Sequence, residues 1–361
     1  MYAMIWVSRA NLKKAHKETY KLYKKGDLSM TLKSTILATA AVSVAAFGLT
    51  TIQSTTSAGA AETTLRGASC FPIGSPPSRA YEALVKEVNK RGKGVLQIKN
   101  IGGAPAIGSP FTLTQKMSRG AYDVVGCTEA YFGNVIPEAP VFRLSDKSYH
   151  DLRQNGGIGY LGKLLAKKNI HYVARHGDFG PFYLWLSKKI DSPNLKGLNL
   201  RVAPVYTAFF KSLGATVQTA SLPQIYTLME NNTVQGYGWP AGAFVPPWAK
   251  VTKYQVKPGF YLSPLHTLVN LKKWKSLTDA QRNLITRVGL EFEKSTEPGN
   301  AKLAAHLKKS AAFRAKAGVK DIVFKGADRK KWLDAAYGAA WKEVLQRSPK
   351  HGKALENLFR N

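Results

Sequence analysis

The stretch from Leu195 to Pro240 runs strand, helix, strand, helix, strand, a rhythm that admits few folds other than a parallel sheet with helices on its faces. NLRVA, residues 199–203, is a short extended run. Tyr206, Phe209, Phe210 and Leu213 then recur at helical spacing until Gly214 ends the turn. TVQTA, 216–220, is a second strand. A second helix starts with Ser221 as its cap and Pro223 in its first turn, and VQGYGWP, 234–240, returns to strand and turn. In an open α/β sheet, ligands sit outside the carboxyl ends of the strands, which sets Arg201 and Trp239 on one crevice. A lone arginine at a strand mouth points to an anion held there.

The segment after residue 62 repeats the pattern. TTLRGASC is a strand, and PPSRAYEALVKEVNKRG carries Tyr81, Leu84, Val85 and Val88 at helical spacing. GVLQIKN and AYDVVGCTEAYF supply two further strands, with FTLTQKMSRG between them. The unit reads βαβαβ, again a parallel sheet. HYVARHGDFGPFYLWLSKK, 171–189, is extended and long enough to cross from one lobe to another, and HTLVNLKKW, 266–274, offers a strand returning to the first. Thr278 and Gln281 form a capping box for a long helix with Leu284, Ile285, Val288 and Phe292 on one face. Gly289 inside it costs about 1 kcal/mol relative to alanine, and Pro298 with Gly299 should break it. A short strand at DIVF and amphipathic helices from Arg329 to Phe359 complete the chain. The class is α/β: 1–61 an N-terminal extension and signal peptide, 62–184 with 265–300 one lobe, 185–264 the other, and 301–361 C-terminal helices packing on both.

With 361 residues, 44% of them hydrophobic and 21% charged, the chain suits two domains of ordinary size. Its longest apolar run, 35–52, follows Lys33 and precedes SAGAAE, the arrangement of a secretory signal peptide with cleavage after Ala60 or Ala61. Met30 is the expected true start. Lys and Arg number 53 against 22 Asp and Glu, a net charge of +31. Residues 1–61 hold eight of the basic and two of the acidic residues, so about +25 remains after cleavage. Such a field draws in anions. Nucleic acid is not the expected partner, because the lysines are spread along the chain with no helix-turn-helix, zinc or RNP pattern beside them.

Cys70 and Cys127 each follow a strand. The exported compartment permits a disulfide, but adjacent parallel strands often give poor bridging geometry, and the spacing leaves the pairing open. Two cysteines without a clustered histidine pair do not make a metal site, and no cofactor motif is present. His176, Asp178 and His266 lack a nucleophile at a strand-to-helix elbow such as G-x-S-x-G, so they read as structural polar residues and no catalytic residue is assigned.

Taken in order, LKGLNLRV, LGATVQTASLPQIYTLMENNTVQGYGWP, YDVVGCTEAY and NLKKWKSLTDAQRNLI resemble the DctP-type solute receptors of tripartite ATP-independent periplasmic (TRAP) transporters. The likeness covers nearly all of the chain after residue 61. It implies a two-lobed periplasmic binding protein fold, each lobe a mostly parallel sheet flanked by helices, with a long C-terminal helix spanning the lobes. It also implies a receptor that binds a small organic acid in the interlobe cleft and delivers it to a membrane permease. The family arginine that binds the carboxylate falls on Arg201. An acidic residue that precedes the tryptophan in some keto-acid-binding members is Gly238 here, and a common glutamate is Gln224. A metal-assisted keto-acid mode is therefore not expected.

A guanidinium offers two parallel N–H donors to a carboxylate, a geometry that lysine cannot copy. Trp239 should present a flat face to the crevice with Tyr237 two positions before it. Tyr131 and Glu129, at the end of the third strand of the first lobe, would form the opposite wall. Of Phe182, Tyr183 and Trp185 on the crossing strand, alternation lets only some face the floor, and Phe182 is taken as the contact. The alternatives of other classes are a periplasmic enzyme acting on a small carboxylate and a receptor for an ATP-driven importer.

Overall fold

The computed structural model describes residues 62–297 and 299–360; the signal-peptide expectation falls outside them. In the first lobe, β1 (Thr63–Ser69), α1 (Pro76–Arg91), β2 (Leu96–Gly103), α2 (Leu113–Ser118) and β3 (Val124–Thr128) form the expected βαβαβ unit, with β2, β1 and β3 parallel. Short helices α3 (Glu129–Phe132), α4 (Val141–Leu144) and α5 (Tyr149–Gln154) and the longer α6 (Gly157–Ala166) lead to β4 (Ile170–Asp178). Glycine at 126 lets α1 lie close on the sheet, since a Cβ there would sit 2.4 Å from the Tyr81 ring.

The long extended run divides. β4 belongs to the first sheet, and β5 (Phe182–Leu186), only three residues on, belongs to the second. There β6 (Asn199–Val202), α7 (Thr207–Ser212), β7 (Thr216–Thr219), α8 (Gln224–Glu230) and β8 (Gly236–Pro240) repeat the first unit, with β7, β6 and β8 parallel. α8 starts at Gln224 rather than under a Ser221 cap: the Ser221 amide and hydroxyl both donate to the Gln224 side chain, and Pro223 holds the cap position. β9 (Tyr254–Phe260) and β10 (Pro264–Asn270) then return the chain to the first sheet.

The sheets are therefore mixed, in the orders β2-β1-β3-β10-β4 and, with β11 (Lys320–Val323), β11-β9-β5-β8-β6-β7. A parallel trio forms in each, as a βαβ crossover requires. Strands that arrive directly from the other lobe, without a crossover helix, run antiparallel to their neighbours: β10 against β3 and β4, and β5 against β8 and β9.

After the short α9 (Leu271–Ser276), α10 (Asp279–Ser295) opens on the capping box of Thr278 and Gln281. The Gln281 amide also donates to Thr63 and to the Val95 carbonyl, fastening α10 to the first sheet. Gly289 lies on β4, where a Cβ would meet Val173 at 2.8 Å, so its propensity cost is offset by close packing. The helix stops before residues 298 and 299, and α11 (Ala301–Lys316) restarts under an Asn300 cap. α12 (Gly326–Arg347) packs on α7 and β9 of the second lobe and on α4 of the first, with fully buried Trp332 among Phe209, Phe260 and Phe324. The last helix is α13 (Gly352–Phe359). Among the described residues, no helix is long and apolar enough to cross a membrane.

Candidate ligand site

Cys70 and Cys127 form a disulfide. Ser69 and Gly126 are register partners on β1 and β3, and the next pair along stands 5.0 Å apart between Cα atoms, within the ordinary bridging range. Only this register, invisible in the spacing, decides the pairing. Residues 128–131 leave the bridged strand end and form one wall of a cavity between the lobes.

Arg201, next to last in β6, has no exposed surface. A guanidinium out of water must have its donors matched. Its Nε donates to the Ala220 carbonyl at 2.7 Å, and Nη2 reaches the same oxygen. Nη1 donates to the Tyr206 hydroxyl at 3.1 Å and to the Gly238 carbonyl at 3.3 Å. Ala220 follows β7 and Gly238 lies in β8, so Arg201 ties both neighbouring strands to its own. Its Cζ is 5.7 Å from the centre of the Trp239 ring, within cation–π range. From the first lobe comes Tyr131, whose phenol burial pushes up to about 12 while the Arg201 charge holds it back. The sequence suggests a free fork. The structure shows one engaged by one hydroxyl and two carbonyls.

The cavity, about 370 Å³ counting its opening to solvent, is bounded by Thr128 and Tyr131 on one side and by Ala203, Tyr206 and Trp239 on the other. Phe182 lines it from the crossing strand. Trp239 is fixed in place: its indole donates to the Ala243 carbonyl at 2.7 Å, and Trp185 donates to its own carbonyl at 2.8 Å. Of the expected residues, Trp239, Tyr131 and Phe182 line this cavity, and Arg201 stands behind it against Tyr206 and Trp239. Tyr237 lies apart from the lining, its hydroxyl 2.9 Å from Thr252 and its ring against Trp185 and Trp248. Glu129 sits behind the wall, fully buried, accepting from Thr128 at 3.0 Å with Arg143 at 3.7 Å and His266 at 3.6 Å.

Tyr206 is the residue that helical periodicity hides. Its spacing reads as core, and its ring is buried, yet its hydroxyl donates to the Gly238 carbonyl at 2.7 Å and meets Arg201. A Cβ on Gly238 would stand 2.5 Å from that ring. Glycine at 238 is therefore what lets the tyrosine lie across β8. His176 bonds Thr267 and burial holds it near 3, well below the usual imidazole range, while burial raises Asp178 to about 6 beside Arg175.

Two α/β lobes are joined by two extended crossings, with an apolar cavity between them and Arg201 behind its Tyr206 and Trp239 wall. Residues 68–347 match the model of bacterial extracellular solute-binding protein family 7 (DctP), and the chain belongs to that family. A solute-binding protein of Albidiferax ferrireducens is 23% identical over 278 residues, 73% of this chain and 80% of that protein. Among solved structures, a TRAP periplasmic solute-binding protein from Desulfovibrio salexigens with bound orotic acid superposes with a TM-score of 0.71 at 20% identity, covering 82% of this chain and 97% of that one. A Bordetella pertussis extracytoplasmic solute receptor binding pyroglutamic acid gives a TM-score of 0.72 at 14% identity, covering 82% and 99%. A Sulfitobacter protein with bound β-D-galacturonate gives 0.70 at 20% identity, covering 82% and 99%.

Proposed function

We propose that this protein is an exported receptor that captures a small organic acid in the interlobe cavity and presents it, unchanged, to a TRAP-type permease. The observation that carries the reading is Arg201: a buried guanidinium near the carboxyl end of a strand, behind the Tyr206 and Trp239 wall of an apolar cavity, with one displaceable tyrosine hydroxyl on it. A carboxylate would take the place of the Tyr206 hydroxyl, with the backbone bonds to Ala220 keeping the guanidinium plane in position. Each charged hydrogen bond contributes about 1.5–3 kcal/mol. Trp239 and Phe182 would enclose the acid's body. Tyr237 would act by stacking on Trp185, whose indole holds the Trp239 carbonyl, and Glu129 from behind the wall. The acids bound by the similar structures support a carboxylate as the common feature.

The closed cavity has room for about one water molecule, ≈ 20 Å³. Entry of an acid therefore requires the lobes to part, and 178–182 and 260–264 are the two short extended links between the sheets, a third passage running through α10 and α11 to β11. Processing after Ala60 or Ala61 would release the receptor, and N-terminal sequencing of the secreted protein would read the cleavage point. The binding test is calorimetric titration of an organic-acid panel against the wild type and Arg201→Lys. Tight binding of at least one acid, weakened about tenfold or more by the lysine, supports the reading, since the charge stays and the fork is lost. Equal affinities would remove Arg201 from the site, and turnover of the bound acid would replace the receptor with an enzyme.

A further inference from the structure

α11 is attached to the rest of the molecule along one stripe and is exposed around most of its remaining circumference. Leu307 stands against Gly180 and Gly242, where an added Cβ would come within 3.1 Å and 3.0 Å of its side chain. Ser310 donates to the Ala241 carbonyl at 2.7 Å, and Arg314, the one buried residue of the helix, donates to the same oxygen at 2.8 Å. Turned outward are Lys302, Lys309 and Lys316, seven residues apart and therefore in one row, with about 10 Å between successive positions along the axis. Phe313, 41% exposed, lies in the same row between Lys309 and Lys316. Nothing neutralises this row. From residue 298 to residue 320 the chain has six Lys and Arg and no Asp or Glu, and none of the three lysines has an ion-pair partner among the described residues. The helices on either side differ: α10 pairs Arg282 with Asp279 and joins Glu291 and Glu293 to Arg91 and Arg153, and α12 pairs Lys330 with Asp334 and Arg347 with Glu343.

We infer that the outer face of α11 is a contact surface for an anionic phospholipid membrane. An unpaired row of cations calls for a partner with negative charge spread along it, and the residue types choose between a bilayer and an acidic protein. Protein interfaces are enriched in Arg and depleted in Lys, whereas this helix turns its one arginine inward and its lysines outward. Flexible ammonium groups with an aromatic ring among them suit headgroups that move to meet them. Each lysine near an anionic surface tightens attachment by about fivefold. The contact also falls beside the ligand cavity: His306 and Arg314 of the same helix hold the carbonyls of Gly242 and Ala241, next to Ala243 in the cavity lining. A receptor resting on α11 therefore keeps that cavity close to the membrane. Attachment of this kind is independent of Arg201.

The test is flotation of the secreted protein with vesicles about one-third phosphatidylglycerol in phosphatidylcholine, at low salt. Two triple variants of equal net charge are compared with the wild type. One is Lys302→Gln, Lys309→Gln and Lys316→Gln; the other removes exposed lysines from α6, α7 and α9, as Lys163→Gln, Lys211→Gln and Lys272→Gln. All six positions are exposed, so both variants should melt with the wild type. The α11 variant is expected to bind about a hundredfold less tightly than the wild type, and the scattered variant within about fivefold of it. Attachment should vanish on phosphatidylcholine alone and at about 0.5 M salt, where charges are screened within a few ångströms. Equal losses in the two variants would show that net charge rather than the α11 row draws the protein to lipid, and would overturn the inference. Equal binding to neutral vesicles would overturn it too. So would the absence of vesicle binding, and retention on polyglutamate in that case would assign the row to an acidic protein instead.

Discussion

The two lobes close the carboxyl end of the same parallel trio of strands with different chemistry. In the first, a disulfide between Cys70 and Cys127 joins the ends of β1 and β3 covalently. In the second, Arg201 on the central strand reaches the carbonyls of Ala220 and Gly238 on either side and ties three strands without a covalent bond. A covalent staple cannot exchange partners. A guanidinium can give up a hydroxyl for a carboxylate and keep its backbone bonds, so the lobe with the reversible fastening is the one suited to hold an anion.

The sharpest way to break this comparison is Arg201→Ala, which should abolish acid binding in calorimetry. It should also lower stability by about 1–3 kcal/mol for each buried carbonyl left without a donor, read from urea unfolding. Arg201→Lys is therefore the cleaner probe of the site alone. Next in size, reduction of Cys70–Cys127, or its replacement by paired alanines, removes a cross-link between residues 57 apart and should cost about 4 kcal/mol. Acid affinity per folded molecule should change far less than in Arg201→Lys. Equal losses of affinity would show that the two fastenings are not separate in function.

A third prediction concerns Gly238. Gly238→Ala forces a methyl against the Tyr206 ring and should destabilise the protein by about 1–3 kcal/mol, with Tyr206→Leu in the same chain restoring part of that loss and binding remaining weak. Additive effects of the two substitutions in a thermal melt would contradict the packing argument.

The smallest expected effect separates the lobes by pH. His176 and His266, both held below the usual imidazole range by burial, lie in the first sheet. A folded-state value near 3 for His176 against 6.5 unfolded means stability that is present above 6.5 and lost as pH falls through the window from 6.5 toward 3. Asp178, raised to about 6, acts with the opposite sign, stabilising below its unfolded value of 3.8 and losing that contribution as pH rises through 6. The share of His176 is isolated by comparing the wild type with His176→Gln: between pH 7 and 5.5 the wild type should lose about 1.4 kcal/mol more. An identical pH dependence would show that the imidazole is not held neutral.

Local signals carried much of this architecture into view from the sequence. The capping box at Thr278 and Gln281, the helix break around residues 298 and 299 and both βαβαβ units follow from spacing and turn chemistry that act within a few residues. What depends on register did not show. The disulfide turns on which residues of β1 and β3 are partners, and the mixed character of the sheets turns on which strands cross between lobes. The site was partly legible for the same reason. Trp239, Tyr131 and Phe182 line the cavity and Arg201 stands behind it, but Tyr206 was concealed by an apolar helical period, and Tyr237 was drawn into the core by Thr252 and Trp248. Nor does a sequence show that a buried guanidinium will be paired before any ligand arrives.

The central claim is that a ligand's carboxylate replaces the Tyr206 hydroxyl on Arg201, and a crystal structure with a bound acid measures it directly. The account predicts both carboxylate oxygens within hydrogen-bond distance of the Arg201 guanidinium, with the Tyr206 hydroxyl displaced and the bond to Ala220 intact. An acid seated elsewhere, with Arg201 still bonded to that hydroxyl, would contradict it.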